Sequence, residues 1–261
     1  MPILLVVGAG LFGSQAAAYA RARGIEALVF DPGITGAASP AAAGLFKEEW
    51  ANKKVRPLFP QAVKLLDQLY GVRTVTLNHA DGRTVPFLCV PPSAILEPNP
   101  IRQAVTSAGD GWLEAGGRRY EGWVYIAAGI WSARFMPGLQ VLGKAGTSLI
   151  LPGERPGRIV EIAYGRQALA FIRDPGTTFF SDGTAESEYS DIHERQTLAQ
   201  ATALGLSEQP LHRLHGYRPY TPGGPLFHKL ASKTWLATGG RKMGTIMGAV
   251  FARRLVDEEL G

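Results

Sequence analysis

The chain has 261 residues, 46% hydrophobic and 19% charged, which is enough apolar material for a sizeable core and too few charges for a disordered polymer. Its 27 basic residues exceed 22 acidic ones, giving a net charge of +5, but Arg21/Arg23, Lys53/Lys54, Arg118/Arg119 and Arg253/Arg254 are scattered, so no nucleic-acid face is expected. The single cysteine, Cys89, excludes a disulfide framework and a cysteine-based metal cluster, and no apolar run approaches the roughly 18 residues of a membrane span.

Ile3 to Val7 is a continuous aliphatic run, the pattern of a strand buried on both faces of a parallel sheet. No basic stretch precedes it as in an export signal, so a cytoplasmic protein is expected. The run ends in Gly8-Ala9-Gly10-Leu11-Phe12-Gly13; Ala16, Ala17, Ala18, Ala20 and Ala22 then predict a helix to Gly24, and Glu26 to Phe30 a second strand. In that setting Gly8 permits a tight turn, Gly10 lets backbone approach a pyrophosphate, and Gly13 lets the helix pack closely on the sheet. The helix N-terminus, with Leu11 and Phe12, then faces the phosphates. Asp31, eighteen residues past Gly13, stands where a carboxylate accepts hydrogen bonds from an adenosine ribose. Pro32 and Gly33 follow with no cation to meet a 2′-phosphate, which leaves FAD or NAD rather than NADP.

Gly36 to Leu45 is rich in small residues without hydrophobic periodicity and is predicted to be a loop. Pro60 to Tyr70 is predicted helical with Val63, Leu66 and Tyr70 on one face, and Val72 to Val90 reads as short strands around Asp81-Gly82. Ser148 to Leu151, Arg158 to Tyr164, Ala168 to Ile172 and Thr177 to Phe180 read as antiparallel strands, separated by turns at Pro152-Gly153, Pro156-Gly157 and Pro175-Gly176. Ile192 to Leu204 is a predicted helix. Trp235 to Thr238 is a short buried strand, Gly239, Gly240 and Gly244 permit close backbone approach, and Thr245 to Leu260 is a helix whose N-terminus favours an anion. Parallel strands at one end and hairpins in the middle predict an α/β fold. A Rossmann-like dinucleotide-binding domain (1–46, 95–140 and 223–261) is interleaved with a smaller, mainly antiparallel substrate domain (47–94 and 141–222).

Five segments occur in an informative order: Ser39-x-x-x-Ala43-Gly44; Tyr120 to Ser132, containing Ala127-Ala128-Gly129-Ile130-Trp131-Ser132; Phe171 to Gly176 with Asp182-Gly183-Thr184-Ala185-Glu186; Gly216-Tyr217-Arg218-Pro219 to Pro225; and Leu236 to Gly244. Together they resemble the D-amino acid oxidase and glycine oxidase family of FAD-dependent amine oxidoreductases. The resemblance implies oxidation of an amine or amino acid by hydride transfer to flavin N5, giving an imine. It implies FAD contacts from Gly8, Gly10, Leu11, Phe12, Gly13, Asp31, Ser39, Ala43, Gly44, Ala128, Gly129, Gly239, Lys242, Met243 and Gly244. Relatives that tether their flavin use a cysteine in the last third, where this chain has none, so the FAD is expected to be noncovalent.

Arg218 resembles a carboxylate-binding arginine of glycine oxidase, and a guanidinium suits a carboxylate because it donates two parallel hydrogen bonds. Lys242, with Arg241 as its competitor, stands where some relatives place a second basic residue near substrate and flavin, and Tyr217 and Tyr220 flank Arg218. His212 and His215 have no carboxylate nearby in sequence and are expected to be structural; no metal is predicted.

The chain also departs from the family, whose members are longer. Leu96 to Pro100 and Ile101 to Val105 resemble the family's proline turn and helix, but only Gly111 to Ala115 and the Gly116-Gly117 turn then precede the Tyr120 strand, where relatives have a strand-rich cover for the adenine. Gly223 stands where the family has an aspartate. A more open FAD site is implied, completed by a partner subunit or in a homo-oligomer. An NAD-linked dehydrogenase and a noncatalytic flavin-binding subunit of a larger complex are the alternatives.

Overall fold

The computed structural model describes residues 3–162, 166–183 and 186–261. The end of the strand predicted to reach Tyr164, and Thr184-Ala185, lie outside the described residues. Ile3–Val7 forms strand β1, Leu11–Ala22 helix α1 and Glu26–Phe30 strand β2, with β1 and β2 parallel. Leu4 and Val6 project into one core and Leu5 and Val7 into another on the opposite face. With both faces covered, the strand needs no polar alternation.

Two short strands, β3 (Gly36–Ala37) and β4 (Leu45–Phe46), pin the ends of the small-residue loop. Helix α2 (Phe59–Tyr70) buries Phe59, Ala62, Leu65 and Leu66, so only Leu66 of the predicted stripe is fully buried. Strands β5 (Arg73–His79) and β6 (Thr84–Cys89) form a hairpin, and α3 (Pro92–Ile95) is a single turn.

Beyond Pro100 the expected helix is absent. Ile101 bridges in parallel to Phe30, its N–H donating to the Val29 carbonyl and its carbonyl accepting from Asp31 N–H. Continued pairing along β2 thus satisfies the backbone groups a helix would have used. Val105–Gly109 (β7), Trp112–Ala115 (β8) and Arg118–Glu121 (β9) form a three-stranded meander. The strand expected to begin at Tyr120, in the segment Tyr120 to Ser132, is broken at Gly122, where a Cβ would collide with the Ile3 carbonyl; Trp123–Ile126 (β10) then enters the parallel sheet beside β1.

Next come β11 (Leu142–Pro152), β12 (Arg158–Ile162), β13 (Arg166–Phe171), β14 (Thr177–Ser181), α4 (Asp191–Ala203) and β15 (His212–Tyr220). Ser190 caps α4, its hydroxyl accepting from His193 N–H at 3.2 Å. The chain ends in β16 (Leu226–Ala231), β17 (Thr234–Thr238) and α5 (Gly244–Arg253); the predicted continuous helix gives way at Arg254 to a π-helical turn over Arg254–Glu259.

Two large sheets result. The first has five strands in the order β16-β17-β10-β1-β2; the second has nine in the order β3-β15-β11-β14-β13-β12-β5-β6-β4 and is mainly antiparallel. Helices α1, α2 and α5 cover one face of the first sheet and the meander the other. Residues 47–94 therefore serve both layers, α2 packing on α5 while β5 and β6 extend the larger sheet. Helix α4 closes the outer face of that sheet through Ala201 against Leu149, Leu151, Ala168, Ala170 and Phe180.

Candidate functional site

A cleft of about 540 Å³ runs between the carboxyl ends of the parallel strands and the inner face of the nine-stranded sheet, within the roughly 300–1,000 Å³ of ligand sites. Val7-Gly8, Phe30-Asp31, Ala127-Ala128 and Ala237-Thr238, the ends of β1, β2, β10 and β17, all line it. Strand ends are where open α/β sheets bind their ligands.

The glycine turn divides its work. Gly8, at φ +100°, would place a Cβ 2.6 Å from the Ala127 carbonyl oxygen, and a Cβ on Gly13 would overlap the Gly8 carbonyl. Both serve close packing, and Gly13 lies behind the cleft wall. Gly10, Leu11 and Phe12 face the cleft at the start of α1. Leu11 N–H donates to Ser39 Oγ at 2.9 Å, and Asp31 accepts from the N–H groups of Ala9 and Gly33, each at 2.7 Å. Asp31 thus stitches the turn as well as lining the cleft.

Ser39, Ala43 and Gly44 line the same cleft. The loop that carries them is fastened to the opposite wall. Arg173 donates from one guanidinium nitrogen to the carbonyls of Pro40 and Ala42, both at 3.0 Å, and from Nε to Asp174 at 2.8 Å. Only 7% of Arg173 is exposed, and its guanidinium stacks 4.9 Å from the Phe179 ring centroid. Ser148 Oγ donates to the Ala41 carbonyl at 3.0 Å, and Ser93 Oγ to Asp174 at 2.5 Å. Burial alone would raise the Asp174 carboxyl, yet the hydrogen bonds from Ser93 and Arg173 hold it below the usual carboxylate range. Gly44, at φ +74°, approaches the Val90 carbonyl too closely for any side chain.

Ala128 and Gly129 line the cleft, and Thr238 Oγ1 fixes the Gly129 carbonyl at 2.8 Å. Lys242 and Gly244 also reach it. Two of the expected cofactor contacts in this last segment do not. Gly239 packs against Thr221 and Gly224, while Met243 turns into the core shared by α1, α2 and α5.

Strand alternation builds the opposite wall. The pairings Gly146 with Gly216, Ser148 with Ser181, and Leu169 with Ser181 put Gly146, Ser148, Leu169, Phe179, Ser181, Gly216 and Arg218 on one face. Burial pulls the Arg218 guanidinium below its ordinary range, opposed by the charges of Tyr220 and Asp182. Tyr217 lines the cleft with its ring against Gly36 and Gly143. Tyr220 carries the Arg241 guanidinium 4.4 Å from its ring centroid.

His215 has the carboxylate partner that its sequence neighbourhood lacks. Its Nε2 lies 3.2 Å from Glu194 of α4 and its Nδ1 3.2 Å from Thr147 Oγ1, on the outer side of the sheet and away from the cleft. Arg173 and Ser148 are the positioning residues that local sequence did not reveal, because their partners lie more than a hundred positions away. Among the described residues no group of three or more His, Cys, Asp or Glu side chains is placed to hold a metal, and no helix is long and apolar enough to cross a membrane.

Solved structures superpose on this arrangement along its whole length. L-amino acid deaminase from Proteus vulgaris, with its specific insertion sequence deleted, matches at a TM-score of 0.76 and 14% identity, over 100% of this chain and 90% of that one. Glycine oxidase from Geobacillus kaustophilus matches at 0.74 and 16%, over 98% and 94%. L-proline dehydrogenase from P. horikoshii matches at 0.67 and 12%, over 99% and 94%. The chain shares their fold. No protein-family model matches the sequence, and no curated protein matches it.

Proposed function

We propose that the chain is an FAD-dependent oxidoreductase that acts on an amine or amino acid, a member of the D-amino acid oxidase and glycine oxidase family. The carrying observation is one continuous cleft that runs from the glycine turn at the start of α1 to Arg218 on the sheet wall. The names of the superposed structures, an amino acid deaminase, an oxidase and a dehydrogenase, support the same reading.

The residues present fit FAD. Gly10 carries no side chain where a pyrophosphate must approach, the N-terminal end of α1 presents its positive dipole end to the cleft, and Gly244 and Thr245 do the same for α5. Asp31 would meet the ribose, Ser39, Ala43 and Gly44 the pyrophosphate and flavin edge, and Ala128, Gly129 and Lys242 the remainder. Noncovalent attachment is consistent with the sole cysteine, Cys89, being buried in a separate core and absent from the cleft lining.

FAD, when bound, would supply a two-electron acceptor for the hydride on the carbon next to a neutral amine; the resulting iminium becomes the imine by releasing a proton from nitrogen to water. The chain positions the substrate and excludes water. Arg218 binds the carboxylate through paired N–H donors, Tyr217 flanks it, Lys242 adds positive charge at the opening of α5, and Leu169 and Phe179 supply apolar wall.

Visible absorption of the purified protein before and after acid precipitation tests the cofactor. Flavin bands passing into the supernatant are expected; a colourless protein that takes up no added FAD overturns the reading and favours NAD. Arg218→Ala is expected to retain flavin and to raise KM for a carboxylate substrate about tenfold or more. Loss of flavin and fold together would make Arg218 structural.

A further inference from the structure

The Arg218 end of the cleft holds more positive charge than one carboxylate can use. Lys144 of β11 stands directly opposite Arg218 across the antiparallel ladder, two positions before the Gly146–Gly216 pair, so it shares the sheet face of Arg218, although Arg218 lines the cleft and Lys144 lies beside that lining. Like charges at directly opposed positions repel. Tyr220, two residues after Arg218, shares that face and carries Arg241 over its ring. Arg241 is the only non-glycine residue with a left-handed backbone among the described residues, at φ 51°. Such a conformation is rare for an L residue and clusters at ligand clamps. Arg241 and Lys242 both line the cleft.

Acidic partners for this group are few. Among the described residues no ion pair joins Lys144, Arg241 or Lys242 to a carboxylate. Asp182 acts on Arg218. Asp31, the one acidic residue of the cleft lining among the described residues, follows β2 at the opposite edge of the parallel sheet from β16 and β17, with its two oxygens engaged by Ala9 and Gly33.

Building on the flavin reading above, the geometry points to a substrate that carries a second carboxylate besides the one on the reacting carbon, an amino or imino dicarboxylate. Arg218 takes the first carboxylate and Arg241 the second, with Lys144 adding positive charge from beside the cleft. A second carboxylate near Arg241 is attracted by the rest of this cationic cluster, which a monocarboxylate seated on Arg218 engages only in part.

Succinate and butyrate are matched probes, equal in chain length and differing by a carboxylate against a methyl group. FAD-saturated protein is titrated with each by calorimetry at low salt, with the flavin spectrum recorded on the same sample. Succinate is expected to bind about tenfold tighter or more, and the ratio is expected to shrink as salt rises. Arg241→Gln and Lys144→Gln, checked for fold by thermal melting, are each expected to bring the succinate-to-butyrate ratio toward one. A wild-type ratio near one overturns the inference, as does a ratio that both folded variants leave intact. It is equally overturned by a preference that disappears once FAD is bound, because the cations then serve the cofactor's pyrophosphate. Failure to take up FAD would sink the flavin reading instead, and the heats of succinate and butyrate binding would still decide the charge preference.

Discussion

At the carboxyl ends of β1 and β10 the cleft is shaped by backbone that cannot accept a side chain, whereas on β11, β14 and β15 it is shaped by alternating side chains on an open strand face. The first region fixes position: Gly8 and Gly13 sit against carbonyl oxygens at distances no Cβ tolerates. The second fixes chemistry, since Ser148, Ser181 and Arg218 differ in what they present while sharing one sheet geometry. A change in the first region should therefore act on fold and cofactor together, and a change in the second on ligand preference.

Gly13→Val gives the largest expected effect. Its side chain would overlap the Gly8 carbonyl and Val6, costing about 3 kcal/mol and abolishing FAD uptake; a variant that melts with the wild type and binds flavin would break the contrast. Arg173→Gln should fall between the regions, because it belongs to the wall and holds a loop of the floor. With two loop carbonyls and Asp174 losing their donor, we expect a cost of about 2 kcal/mol and FAD affinity weakened about tenfold, measured by flavin fluorescence titration. Arg173→Lys should recover part of that loss.

Acid should loosen the same clamp. The Asp174 carboxyl lies below its ordinary value in the folded protein, so the unfolded chain binds its proton first as pH falls. The stabilisation is complete above about pH 4 and is lost as pH drops through the lowered folded value. Melting curves taken across that range should show Asp174→Asn less acid-sensitive than the wild type. The smallest effect is expected at Gln15, whose amide is fully buried near Gly248 of α5 without a hydrogen-bond partner. Gln15→Met should gain about 1 kcal/mol, read as a melting temperature raised by a few degrees, and should leave FAD affinity unaltered.

The floor was legible in the sequence because its constraints are local. Five consecutive aliphatic residues, three glycines at fixed spacing and an acid at the end of the next strand specify β1, the turn, α1 and β2 within thirty-one positions. The wall was legible only as hairpins and as a position for Arg218. Whether Lys144 faces Arg218, or Arg173 reaches Pro40, depends on register between segments far apart in the chain, which periodicity does not encode. The helix expected at Ile101 to Val105 failed for the same reason. Ile101 bridges to Phe30 of β2, about seventy positions away, and Val105 opens β7 against β8, and those pairings outweighed the turn-and-helix pattern suggested by resemblance.

The loop between β3 and β4 gives the ligand a mechanical role. It follows the glycine turn in sequence, yet its ends pair with β15 and β6, and Arg173 and Ser148 hold its middle from the larger sheet. A dinucleotide seated between turn and loop would touch backbone belonging to both layers and so act as a noncovalent cross-link. Its binding energy would then stabilise the two sheets jointly, by RT ln(1 + [L]/Kd), and resistance to heat and proteolysis would rise across the antiparallel layer as well as at the nucleotide end.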